Sequence, residues 1–205
     1  MGVRERRRQE LVDAARALFL ERGFDQVMID DIADECGVTR RTVYRYFPTR
    51  DHVALAVEVD LLERWGVLLE GLSARWSGTA AARLGSALAD IEGLIDDHAD
   101  EVRFTQVFDV QLGGGEDSDL SAQFQAAIRA LLRPLVDVLR LGEQDGTLRL
   151  ADSPEVTAST LTNAYLGLAQ RVYGFGDRLA QEQSVEPRRM LTELSRLYAA
   201  ALIIE

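Results

Sequence analysis

Between Val38 and Arg50 the chain carries four arginines (Arg40, Arg41, Arg45 and Arg50), the tyrosines Tyr44 and Tyr46, three threonines, and no acidic residue. An arginine can grip guanine O6 and N7 through two parallel hydrogen bonds, and a threonine can meet the thymine methyl. Tyrosine and arginine also hold phosphate oxygens and so fix register. The chemistry on offer is non-covalent recognition of nucleic acid. Other chemistry is poorly provided for. One cysteine, Cys36, and two histidines, His52 and His98, are too few and too scattered for a zinc site, and one cysteine makes no internal disulfide. Neither histidine has a Ser or Cys nucleophile pattern around it, and no paired carboxylates stand in a clear catalytic setting. No catalytic residue, metal or cofactor is expected, and the chain is not expected to be an enzyme.

The basic stretch needs elements to hold it outward. A helix-turn-helix requires a small residue where its helices touch, a glycine in the turn, and apolar residues that lock the second helix. Ala33 is the small residue, and Gly37, four positions on, is the turn. Ile32, Cys36, Val38, Val43 and Phe47 form the lock. Arg40, Arg41, Thr42, Tyr44 and Arg45 are then left pointing outward. The first of these two helices is expected over about Ile29–Cys36, with Asp30 and Asp31 in its first turn, where the helix dipole favours negative charge. The second is expected over about Arg40–Phe47, capped by Thr39 and ended by Pro48. Ahead of both, Leu11, Ala14, Ala15, Leu18 and Phe19 recur at helical spacing within a helix over 4–22 that Gly23 stops. The run Arg4–Arg8 lies before that face and reads either as a solvated terminus or as an arm for the minor groove.

The net charge of −11 at first opposes an anionic partner. It is unevenly placed. Of the 23 basic and 34 acidic residues, ten of each fall in residues 1–52, which are neutral, and all the excess acid lies beyond. Local patches, not net charge, attract phosphates. An acidic body also discourages indiscriminate binding.

Past residue 50 the pattern stays helical. Val53, Val57, Leu61, Leu62, Trp65, Leu68, Leu69 and Leu72 stripe a helix over Arg50–Ser73, long enough to connect two lobes. Helices follow through Leu84–Ile95, through Val102–Leu112, over 119–142 with a kink expected at Pro134, from Pro154 until Gly174 and Gly176 end it, and from Pro187 onward. Gly113–Gly115 reads as a loop. The fold expected is all-α with about nine helices, divided into a helix-turn-helix part over 1–49 and a longer helical part over 50–205. No apolar run approaches a membrane span, and the N-terminus lacks the apolar core of a secretory signal. Cytoplasmic residence is the expectation.

Residues 10–56 resemble the DNA-binding domain of TetR-family transcriptional regulators. The matching pieces are LVDAARALFLERGFD, IDDIADECGV and TRRTVYRYFPTRDHVAL, about a quarter of the chain. The resemblance implies a DNA-binding set of Thr39, Arg40, Arg41, Thr42, Tyr44, Arg45, Tyr46 and Arg50, in which Arg40, Arg41 and Thr42 face bases while Tyr44, Arg45, Tyr46 and Arg50 contact phosphates or flanking bases. Two departures stand out. Met28 occupies a place where Thr or Ser commonly caps the second helix, and Arg41 one where a small residue is common. The resemblance further implies that 1–49 bind DNA and 50–205 bind an effector and dimerise, with double-stranded operator DNA as partner, a homodimer through the last two helices, a small-molecule effector that enters or adjusts the chain near Pro134 and Gly113–Gly115, and release from a near-palindromic operator as a repressor. Trp65, Phe104, Phe108 and Tyr165 are candidates to line the effector pocket, although aromatics at helical spacing are more often plain core. Ala158, Ala164, Gly167 and Ala169, with Ala199–Ala201, suit a dimer seam. Two readings remain beside this one: a regulator without a small-molecule effector, and an all-helical enzyme or lipid carrier. Cys36, on an inward face, reads as a small core residue before a redox sensor.

Overall fold

The computed structural model describes residues 2–111 and 118–204; the side chains of 108–111 and 118 lie outside that description. The order is α1 (Val3–Arg22), a 3-10 turn (Phe24–Gln26), α2 (Ile29–Glu35), α3 (Arg40–Tyr46), α4 (Arg50–Ser73), α5 (Ala80–Asp97), α6 (Ala99–Gln111), α7 (Ser118–Asp145), α8 (Pro154–Gln183) and α9 (Pro187–Leu202). The all-α expectation is met. Among the described residues no helix is long and apolar enough to cross a membrane.

The described residues divide into two compact units, 1–62 with 104–127, and 63–103 with 128–205. Helices α4, α6 and α7 each contribute to both. The first unit is built on the apolar face of α1. Leu11, Ala15, Leu18 and Phe19 are buried with Ile32, Ala33, Val43 and Phe47 of the helix-turn-helix and with Val53, Val57 and Leu61 of α4. Phe104 and Leu120 complete that core. Across it, Asp60 of α4 accepts hydrogen bonds from Gln9 at 2.8 Å and from Arg16, both on α1. The second unit buries Leu69, Trp76, Leu84, Leu88, Leu135, Leu139 and Leu161.

Local chemistry explains the element ends. Gly23 turns the chain at φ 84° and Gly37 at φ 62°, a region that costs other residues a Cβ clash. Thr79 and Ser153 accept the N–H groups of Ala82 and Val156 and so cap α5 and α8. Helix α5 has a second cap from outside. Asp145 accepts the N–H of Ala80 at 2.8 Å, and Thr147 Oγ1 that of Ala81 at 3.1 Å. After α7 the chain pairs briefly with the C-terminus, Arg149 N–H donating to Leu202 O at 2.8 Å and Ile204 N–H to Thr147 O at 3.0 Å. Gly142 makes room for this: a Cβ there would lie 2.4 Å from the buried Leu148 side chain.

Several expectations need correction. Arg4–Arg8 are helical within α1, not a free arm; Arg7 pairs with Glu10, and Arg8 lies over the Phe47 ring at 5.2 Å. Gly174 and Gly176 do not end α8. The helix breaks at Phe175 (φ −138°, ψ 27°) and resumes to Gln183, held by the buried Leu179 and by the pair Arg178–Glu182. Ala158 and Ala169 face inward at 0% exposure, leaving Ala164, Gly167, Ala200 and Ala201 on the outside. The Gly113–Gly115 run lies outside the described residues.

Candidate nucleic-acid interface

Helix α3 has two faces. Val43 and the following Phe47 are sealed into the first unit's core at 0% and 1% exposure. Arg40, Arg41, Tyr44 and Arg45 are exposed on the other side, with Thr42 and Tyr46 half-buried at the edges. The turn that sets this orientation is tight. Val38 N–H donates to Ala33 O at 2.9 Å and Gly37 N–H to Asp34 O at 3.1 Å. Thr39 Oγ1 accepts the Thr42 N–H at 3.3 Å, and the two hydroxyls lie 3.0 Å apart. Thr39 is thereby placed as the cap of α3.

The arginines differ in how firmly they are held. Arg40 donates from Nη1 to Asp30 of α2 at 3.2 Å and from Nη2 to Tyr44 OH at 3.1 Å. The Tyr44 hydrogen bond and then the Asp30 charge raise its pKa. Arg45 lies over the Tyr46 ring at 5.4 Å. Arg41 makes no ion pair among the described residues. Arg50 is drawn inward: its guanidinium sits 4.0 Å from the Phe24 ring centre and donates to Val27 O at 3.2 Å. That placement ties the head of α4 to the approach to α2.

Met28, 58% exposed, caps α2 without a side-chain acceptor, but the Asp31 carboxylate accepts the Met28 N–H at 2.7 Å. Half of a capping box therefore survives. An acid three places after an apolar cap position was a readable signal for it. The contacts of Asp30 and Arg8 were not readable, because each spans two elements. Cys36 is a packing residue. Its thiol donates to Glu10 O at 3.6 Å, and burial, then the Glu10 and Glu35 charges, push its pKa up. The protonated thiol is a weak nucleophile.

Of the aromatic candidates, Phe104 belongs to the first unit and Trp65 and Tyr165 to the second. Phe104 stacks on Phe19 at 5.6 Å in the first unit's core. Trp65, buried in the second unit, donates from Nε1 to Glu101 at 2.6 Å, and His98 Nδ1 is 3.3 Å from the same carboxylate. Tyr165 is buried between α5, α8 and α9, its hydroxyl 2.8 Å from Ser195 Oγ and 3.2 Å from Leu191 O. Burial raises its pKa to about 12. The side chain of Phe108 lies outside the described residues. A surface groove of about 400 Å³ opens between α4 and α5, lined by Leu68, Leu72, Arg75, Leu94 and His98 among others. Among the described side chains, Trp65, Phe104 and Tyr165 do not line it.

Residues 11–57 match the family model of bacterial regulatory proteins of the tetR family. The HTH-type transcriptional activator FasR of Mycolicibacterium smegmatis is 37% identical over 54 residues, a match that takes in 26% of this chain and only 25% of FasR. The fold is similar over its whole length to solved structures. A TetR-family regulator from Mesorhizobium loti superposes with a TM-score of 0.71 at 16% identity, covering all of both chains. FadR from Bacillus subtilis, solved with stearoyl-CoA, gives 0.66 at 15% identity over 94% of this chain and 98% of its own. FadR from Thermus thermophilus, a repressor solved with lauroyl-CoA, gives 0.66 at 21% over 97% and 96%. The helix-turn-helix is thus matched in sequence to the tetR family of bacterial regulatory proteins, and the all-α fold is similar end to end to solved structures of regulators of that family.

Proposed function

We propose that this chain is a ligand-responsive transcriptional repressor that binds a near-palindromic operator as a homodimer. One observation carries the DNA-binding part: α3 turns Arg40, Arg41, Tyr44 and Arg45 outward without an acidic residue while Val43 and Phe47 anchor its back. Arg40, Arg41 and Thr42 face bases. Tyr44, Arg45 and Tyr46 serve phosphates and flanking bases. Arg50 serves them too, unless its seat between Phe24 and Val27 retains it on DNA. In vitro selection of bound duplexes tests this directly. A recovered inverted repeat is expected, with half-sites about one helical turn apart, roughly 34–36 Å. Recovery of no preferred sequence would remove the reading.

The dimer is proposed through α8 and α9. Their outward faces carry Ala164, Gly167, Ala200 and Leu197, the last 58% exposed. Small residues let helices approach closely, and exposed leucine gains from being covered. The effector is proposed to bind the second unit at the groove beside α4. That helix contributes Arg50–Leu62 to the unit that reads DNA and Glu63–Ser73 to the other. An effector can shift the operator equilibrium only by binding one setting of α4 better than another. A full shift needs on the order of 5 kcal/mol of differential affinity. Acyl-CoA thioesters, bound by two of the solved neighbours, are the first class to test, by melting-point shift and by release from the selected operator.

A further inference from the structure

We infer that Asp30 is a specificity-determining residue that acts through Arg40, orienting its guanidinium for one base of the operator. The inference rests on the DNA-binding reading above.

Asp30 lies in the first turn of α2 and Arg40 opens α3, so their 3.2 Å contact crosses the turn of the helix-turn-helix. The second tie, from Arg40 to Tyr44 OH at 3.1 Å, comes from the next turn of Arg40's own helix, with the tyrosine ring 5.4 Å from the guanidinium carbon. The guanidinium is thus fixed from two directions by two different terminal nitrogens. Each nitrogen gives up one N–H, and the rest of the five donors stay available for a base edge. Arg41, its neighbour, has no such ties.

That difference matters on DNA. A free arginine must lose its rotamer freedom when it binds, whereas one already held loses less. A held guanidinium also meets the wrong base with its donors unmatched, which raises discrimination. Asp30 has a second effect of the same sign. Its carboxylate is exposed and stands beside Arg40, so on bound DNA it opposes phosphates indiscriminately. It therefore weakens binding to any DNA while favouring the base that Arg40 accepts.

Asp31 supplies an internal control. It stands in the same turn of the same helix, but its carboxylate caps the Met28 N–H and does not touch Arg40. Loss of a structural acid and loss of a positioning acid can therefore be compared one residue apart.

The test is selection of bound duplexes with the full-length protein, followed by affinity for the selected site and for single-base variants of it. It is run on wild type, Asp30→Ala, Asp30→Asn, Asp31→Ala, Arg40→Ala and the double variant Asp30→Ala/Arg40→Ala. At the base pair whose preference disappears in Arg40→Ala, discrimination should fall roughly fivefold in Asp30→Ala. Binding to unrelated DNA should tighten. Asp31→Ala should weaken binding across all sequences and keep the preference. Removing Asp30 from a chain already lacking Arg40 should change no base preference. Asp30→Asn, which keeps an acceptor, should fall between wild type and Asp30→Ala. If wild type selects a site and Asp30→Ala selects it with the same discrimination, the inference is overturned and the DNA reading stands. If wild type selects no site, both fall.

Discussion

Among the described residues, an exposed face of α3 and an exposed face of α8 and α9 are built from opposite materials. Helix α3 presents Arg40, Arg41, Tyr44 and Arg45. Helices α8 and α9 present Ala164, Gly167, Leu197, Ala200 and Ala201, with Phe175 half-exposed at the break in α8. A cationic face with tethered side chains suits a partner of fixed negative charge. A face of small and apolar residues suits close approach by another helix. Each surface is poorly matched to the other's partner, and the net charge of −11 reinforces the division, since the excess acid lies beyond residue 52.

Charge removal on the first surface should give the largest effect. Arg40→Ala with Arg41→Ala should reduce specific operator affinity by on the order of a hundredfold, given about 1–3 kcal/mol for each base contact. The circular dichroism spectrum should be unchanged, because both side chains are exposed. Retained operator affinity in a gel shift would break the assignment of α3 as the reading helix. On the second surface the matching change is Gly167→Glu. It places a bulky charge where a second helix must approach, so light scattering at micromolar concentration should report a monomer. Operator binding should weaken in parallel. A dimer that survives both Gly167→Glu and Leu197→Glu would break the contrast between the surfaces.

How much of this could be read from the residues differs between the two regions for a physical reason. The helix-turn-helix is a short-range device. Ala33, Gly37, Val43 and Phe47 fall within fifteen residues, and their spacing alone fixes which side of α3 faces out. Periodicity also placed α4 at Arg50–Ser73, as observed. In the second unit the determinants are long-range. For Trp65 the spacing offered a pocket aromatic, and the partner of its indole N–H, Glu101 on another helix, is supplied only by folding. The same holds for Tyr165 with Ser195. The break in α8 was misread as an end because Gly174 and Gly176 are local signals for stopping, while burial of Leu179, which rewards continuing, is not local. Within the first unit the same limit applies to Arg50. Its charge suggested a phosphate contact, and only folding brings Phe24 and Val27 to it.

Smaller changes sharpen the contrast between reaching out and packing in. Trp65→Phe removes a donor from the buried Glu101 carboxylate and should cost about 1–3 kcal/mol of stability in denaturant melts. Operator affinity at low temperature should stay near wild type. For Arg50→Ala, loss of the Phe24 stacking and the Val27 hydrogen bond should cost about 1 kcal/mol in the DNA-free protein. If Arg50 instead serves mainly as a phosphate clamp, stability should hold and the salt slope of DNA binding should fall by about one.

The smallest effect is an alkaline one, and it belongs to the second unit alone. Burial raises the Tyr165 pKa from 10.0 to about 12. A group whose folded pKa is raised contributes stability that is fully present below its unfolded value and is lost as pH rises through the folded one. Tyr165 should therefore stabilise the fold up to about pH 10 and lose that contribution as pH climbs toward 12. Replacement by Phe removes the hydroxyl from Ser195 Oγ and Leu191 O, costing about 1 kcal/mol at neutral pH. It also removes the titration. The stability difference between wild type and Tyr165→Phe should narrow between pH 10 and 12 in urea melts. A constant difference across that range would mean that the phenol ionises as freely in the folded chain as in the unfolded one. Tyr165 would then be reachable by water.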